Sequence, residues 1–129
     1  ETEPIGADEM RRRISDVAAE YPYLVAEEDG EILGYAYAAP FRLRVAYAYS
    51  AEVSVYVKAD AKQQGIGTML YSKLLDEVAD TDIHALVAGI SLPNDASVRF
   101  HEKFGFENVG RFREVGYKLG RWIDVGYWQ

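Results

Sequence analysis

The sequence contains no cysteine. Disulfides, thiolate metal sites and a cysteine nucleophile are therefore excluded. Its two histidines support a metal site poorly, and no metal is expected. No apolar run approaches the roughly 20 residues of a membrane-spanning helix, and no signal-peptide pattern is present. The default expectation is a cytoplasmic protein; the missing initial methionine leaves room for an upstream segment. Basic residues are also in short supply. Fourteen Lys and Arg against 21 Asp and Glu give a net charge of −7, which argues against nucleic acid as the main partner. An anionic ligand must then be held by local groups, so the few positive side chains near a pocket are informative. Repeats, low-complexity tracts and internal linkers are absent. What remains is 129 residues, 49% apolar and 27% charged, read as one soluble globular domain spanning 1–129.

The chain is organised around Glu52 to Asp80. Val53, Val55 and Val57 alternate with Glu52, Ser54 and Tyr56, the pattern of a strand with two unlike faces. From Gly65 the period changes, and Ile66, Leu70, Leu74 and Val78 form one stripe of a helix. Between them lies Lys62-Gln63-Gln64-Gly65-Ile66-Gly67. Two glycines at a helix start let backbone approach a ligand, and the unpaired N–H groups at the positive helix end suit a phosphate. The loop is neither a P-loop, lacking Gly-x-x-x-x-Gly-Lys-Ser/Thr, nor Gly-x-Gly-x-x-Gly, since position 70 is Leu.

Around this unit, Ala7–Tyr21 fits a helix whose Arg11 to Arg13 face solvent. Tyr23–Ala26 and Ile32–Ala39 read as a hairpin turning at Glu28-Asp29-Gly30-Glu31, closed by Pro40. Phe41–Ser50 (FRLRVAYAYS) puts Arg42 and Arg44 on one side if extended, as either a surface loop or a cleft wall beside the central strand. His84–Ile90 (HALVAGI) reads as a strand covered on both faces, parallel to the central one. Asn94 is an N-cap for a helix to Phe104 with Gly105 at C′. Two strands, Glu107–Val115 and Trp122–Trp128, close the chain around Gly116 to Gly120.

The basic-x-x-Gly-x-Gly loop directly after a strand resembles the pyrophosphate loop of the GNAT superfamily of acyl-CoA N-acyltransferases, with Lys62 where that family prefers Arg or Gln. YPYLVAEEDGEILGYAYA, FRLRVAYAYSAEVSVYV, ISLPNDASVRFHEKFGF and LGRWIDVGYWQ together are similar to the phosphinothricin acetyltransferases, in order and over nearly the whole chain. The resemblance implies an α/β (mixed α+β) fold, a central mixed sheet flanked by helices, here without the family's first strand and helix. It implies acetyl-CoA as co-substrate, an amino-acid acceptor and a homodimer. Acetyltransferases of polyamine or protein amines and a non-catalytic acyl-CoA-binding domain are the alternatives.

An amine attacks a thioester only as the free base, and α-amino groups titrate near about pH 8, so a positioned base is useful. Glu52 stands in the central strand, where it is either that base or a solvent-facing carboxylate. The Ala-Glu-x-Ser/Thr-Val-Tyr-Val context matches the family's catalytic glutamate. His101, in His-Glu-Lys-Phe-Gly-Phe, matches the phosphinothricin group's histidine, a general acid for the departing thiolate or an orienter of Glu52; His84 reads as structural. The resemblance assigns the backbone of Val55, Tyr56 and Val57 to pantetheine, and that of Gln63, Gln64, Gly65, Ile66, Gly67 and Thr68, with Lys62, to pyrophosphate. Asn94 is placed facing pantetheine or serving as a cap alone. Arg42, Arg44, Tyr47 and Tyr71 are the candidates for substrate contact. A Ser-His-Asp triad using Ser54 or Ser97 lacks a nucleophile elbow.

Overall fold

Turn chemistry and alternation build the first two strands. Asp29 and Gly30 both take positive φ (53° and 80°), the tight turn that an Asp-Gly pair favours. It joins strands β1 (Tyr23–Glu28) and β2 (Glu31–Pro40). The computed structural model describes residue 8 and residues 21–129, with residues 62–64 described through their backbone alone. The helix expected over Ala7–Tyr21 therefore lies outside the described residues, apart from Asp8 and Tyr21. Next come strand β3 (Ser50–Val57), helix α1 (Ile66–Ala79), strand β4 (Ala85–Leu92), helix α2 (Asp95–Lys103), and strands β5 (Asn108–Lys118) and β6 (Arg121–Trp128). Short 3₁₀ turns occupy Val45–Tyr47 and Ala59–Gln64.

The strands form one sheet in the order β1-β2-β3-β4-β6-β5. Only β3 and β4 run parallel, joined across α1; the other neighbours are antiparallel. The β5–β6 hairpin is longer than the sequence suggested, turning at Leu119-Gly120. Along β5 the register shifts between Phe112 and Gly116, where Glu114 has φ 52°. Asp124 holds this bulge: one carboxylate oxygen accepts the Glu114 N–H (2.9 Å) and the other accepts two Arg111 donors (2.8 and 2.6 Å). The Glu114 N–H and then the Arg111 guanidinium keep the Asp124 carboxyl below its usual range.

Both described helices cover the same face. Ala36, Ala38, Ala51 and Val53 form a small-residue floor beneath Ile66, Leu70, Tyr71, Leu74 and Val78 of α1, all buried. Small floor residues let the helix lie close: a Cβ on Gly34 would stand 3.3 Å from Leu70 Cδ1 and 2.7 Å from the Tyr56 carbonyl. The helix stripe read from the sequence is the buried one, with Tyr71 added. Helix α2 begins at Asn94, whose Oδ1 accepts the Ser97 N–H (3.1 Å). Glu102 of α2 accepts a hydrogen bond from the Trp128 indole (3.1 Å), pinning the end of β6 on this side. In β4 only Ala88 and Ile90 are buried, whereas Gly89 and Ser91 are exposed. The run His84–Ile90 is thus covered on one face, not two, because both described helices pack on the Ala88 side.

Candidate active site

Glu52 stands where the sheet divides. Strands β3 and β4 pair only at Ser50, Ala51 and Glu52, with Glu52 opposite Val87. Beyond that point β3 stays with β2 to Val57, while β4 pairs with β6 from Ala88 to Leu92. The two parallel strands part, and the edge of Val53–Val57 that faces β4 has no β4 partner. Backbone N–H and C=O groups left open inside a sheet call for a partner, and an extended ligand carrying amides can supply one as an added strand would.

The far end of this slot is a helix N-terminus. Gly65 (φ 73°, ψ 13°) turns the chain from the 3₁₀ segment into α1 and gives no side-chain cap. The first N–H groups of α1, those of Ile66, Gly67 and Thr68, have no partner within the helix, and they carry the positive end of its dipole. A Cβ on Gly67 would lie 3.3 Å from Val57 and 3.6 Å from Phe100 of α2, so glycine lets this turn fit between strand and second helix. The structure therefore brings Val57, at the end of the Val55–Val57 edge, together with Gly67 in the loop of Lys62 to Thr68 and with Phe100 of α2; Asn94 caps α2 by accepting the Ser97 N–H. The side chains of Lys62, Gln63 and Gln64 lie outside the described residues.

At the near end, the Glu52 carboxylate points away from the helices. Its Oε2 would be 3.4 Å from a Cβ on Gly89, and the Tyr127 ring edge (Cε1) 3.1 Å from the same point. Register places Glu52, Val87, Gly89 and Tyr127 on this open face. No hydrogen bond or ion pair links Glu52 to another of the described residues. A half-buried carboxylate with free lone pairs, at the head of a slot lined by backbone donors and acceptors, can take a proton from a group brought there.

Residues 2–126 match the family model described as an acetyltransferase (GNAT) domain. A phosphinothricin N-acetyltransferase from Streptomyces coelicolor is 44% identical over 133 aligned positions, covering 100% of this chain and 78% of the relative. The chain belongs to the GNAT acetyltransferase family. A solved ribosomal-protein-alanine N-acetyltransferase from Brucella melitensis has the same fold, with a TM-score of 0.88 and 36% identity over 96% of this chain and 77% of the other. A phosphinothricin acetyltransferase from Sinorhizobium meliloti, in complex with AcCoA, gives 0.86 and 35% over 97% and 69%. These relatives put the acetyltransferase in the phosphinothricin group of a family that takes its acetyl group from acetyl-CoA.

Other sequence candidates of the acetyltransferase lie apart from Glu52. His101 is 4% exposed and sits on the helix side of the sheet, packed edge-on against Tyr71, Phe100 and Phe106. Its Nδ1–H donates to the Ser97 carbonyl (2.8 Å), so Nε2 is left as acceptor for the Tyr71 hydroxyl (2.8 Å). Burial lowers the histidine's pKa, against the Ser97 carbonyl, which raises it; burial pushes the Tyr71 phenol well above the usual range. Neutral His101 and Tyr71 thus tie α2 to α1. Tyr71 has no exposed surface, and no contact joins either residue to Glu52. Arg42, Arg44 and Tyr47 occupy the exposed loop that enters β3 just before Glu52. The Arg42 guanidinium lies 4.1 Å over the Phe41 ring and donates to the Phe41 carbonyl (2.8 Å). Tyr49 anchors the loop to the start of β4 by accepting the N–H of His84 (2.7 Å). Gly89 and Tyr127, which border the Glu52 carboxylate, were not singled out from the sequence. The signal was a glycine interrupting an apolar strand, which marks a close approach.

Among the described residues no helix is long and apolar enough to cross a membrane, and no group of three or more His, Asp and Glu could hold a metal.

Proposed function

We propose that this chain transfers the acetyl group of acetyl-CoA to the amino group of phosphinothricin or a methionine-sulfoximine-like amino acid, by direct attack. The observation that carries this reading is the position of Glu52 at the point where β3 and β4 part. The free edge of Val53–Val57 fits the amides of pantetheine, and the uncapped start of α1 fits its pyrophosphate. An acceptor on the open face meets Glu52 first. The carboxylate takes one proton from the ammonium, directly or through a water. The free amine adds to the thioester carbonyl, the C–S bond breaks, and CoA leaves as a thiolate that takes up the second proton from the nitrogen, directly or through water, giving the amide and free CoA thiol. Arg42, Arg44 and Tyr47 would meet the acceptor's α-carboxylate and its second polar oxygen group, for which guanidinium forks are suited. His101 and Tyr71, each held by the other, serve by fixing α2 against α1, and their geometry supports this positioning role over an acid role.

Thiol release gives the test, and a cysteine-free enzyme adds no background. Glu52→Gln should lower kcat by about 10²-fold or more near pH 7, with a deficit that shrinks as pH rises and the amine deprotonates unaided. Equal activity of mutant and wild type at pH 7 would remove Glu52 from the mechanism. Likeness to a ribosomal-protein-alanine acetyltransferase favours peptide amines as the second reading. Faster turnover of an N-terminal alanine peptide than of any amino-acid analogue would establish it. We place the reaction in the cytoplasm and the protein in a homodimer. The apolar tip of the last hairpin supports the dimer, with Trp122 64% and Leu119 77% exposed; a monomer by light scattering at micromolar concentration would refute it.

A further inference from the structure

We propose that Tyr127 positions the Glu52 carboxylate across the gap that Gly89 leaves, so that the last strand of the chain sets the aim of the base. This inference rests on Glu52 as base. Three strands contribute: Glu52 from β3, Gly89 from β4 and Tyr127 from β6, with Gly89 and Tyr127 paired in the ladder. One missing methyl holds them together. The Cβ that Gly89 lacks would stand 3.1 and 3.7 Å from Cε1 and Cδ1 of Tyr127, and 3.4 Å from Glu52 Oε2. Two carbons of the ring thus border the same small space as the carboxylate.

Tyr127 is itself held from both sides. Phe112 of β5 packs edge-on against its ring (5.6 Å), and its neighbour Trp128 is buried under α2 by the bond to Glu102. The Tyr127 hydroxyl has no hydrogen-bond partner among the described residues, so packing and not a polar tie fixes the ring. Glu52, by contrast, has no hydrogen bond or ion pair to another of the described residues to fix its rotamer. A carboxylate free to swing loses the geometry that proton transfer requires, and misplacement by about 1 Å can cost 10²-fold. Gly89 is the complementary requirement. Alanine would touch the carboxylate and crowd the ring, and valine would fill the space through which an amine on the open face reaches Glu52.

The experiment measures kcat, acceptor KM, the pH profile of kcat/KM and acetyl-CoA affinity for Tyr127→Ala, Tyr127→Phe and Gly89→Val, each alone and combined with Glu52→Gln. Tyr127→Ala and Gly89→Val should lower kcat about 10- to 100-fold and move the acidic limb of the profile, with acetyl-CoA affinity retained. Tyr127→Phe keeps the ring edge and should recover most of the rate that Tyr127→Ala loses. In the Glu52→Gln background the same changes should cost little further, because the group they position is gone. Equal losses in both backgrounds, or an unaltered profile, would overturn the proposal while leaving Glu52 as base. A fully active Glu52→Gln would overturn both. Tyr127 lies on the partly exposed face, so Tyr127→Ala carries the test should Gly89→Val not fold.

Discussion

Removing the Tyr71 hydroxyl would isolate the bond that ties the two helices. In Tyr71→Phe the ring and its contacts with Phe100, Phe104 and Phe106 stay, but Nε2 of His101 is left buried without its donor. A buried acceptor stripped of its partner costs about 1–3 kcal/mol. For a domain of this size each kcal/mol lowers Tm by about 4 °C, so a fall of about 4–12 °C is expected. Replacing both partners, Tyr71→Phe with His101→Leu, should cost less than the two single losses added, since no polar atom is then orphaned. The pH dependence supplies a second readout. Burial lowers the His101 pKa, so the unfolded chain binds this proton more readily than the folded one. The contribution is complete above about pH 6.5, the unperturbed value, and declines as pH falls below it. Scanning calorimetry between pH 8 and 5 should show that decline in the wild type and a shallower one in His101→Leu. A Tyr71→Phe protein with wild-type Tm and kcat lowered a hundredfold would refute the reasoning, because the hydroxyl would then be acting on the substrate.

Gly67→Val should weaken acetyl-CoA binding by calorimetry on folded protein, since a side chain there meets Val57 at 3.3 Å and blocks approach to the N–H groups of α1. Gly65→Val adds backbone strain at φ 73° and should weaken it further. Arg42→Ala and Arg44→Ala should raise KM for amino-acid analogues with acetyl-CoA affinity little altered; in steady-state assays, polyamines outcompeting those analogues would reject the anionic-acceptor reading. Gly126→Ala should destabilise by about 1–3 kcal/mol in urea titration, because its methyl would sit 2.6 Å from Trp128 Cζ3 and 3.0 Å from Leu92 Cδ1 in a packed interior.

What the sequence determined by itself is whatever depends on neighbours along the chain. The alternation of Glu52 to Val57 and the stripe of Ile66, Leu70, Leu74 and Val78 specify a strand and a helix, because side-chain direction follows the local period. Asp29-Gly30 and Asn94 fix a turn and a helix start through hydrogen bonds and dihedral angles within a few residues. The glycine loop between Lys62 and Thr68 was legible for the same reason. Only the tertiary structure decided how far β3 and β4 stay paired, since β3 continues on β2 to Val57 while β4 continues on β6, its other neighbour, to Leu92, and these partners lie far apart in sequence. It also decided that Glu52 faces Gly89 and Tyr127, which share no local period, and that His101 faces inward to Tyr71. A helical histidine can point to either side of its helix with equal local cost. The packing of α2 on α1 chose the buried side, and with it a hydrogen bond to Tyr71 in place of any contact with Glu52.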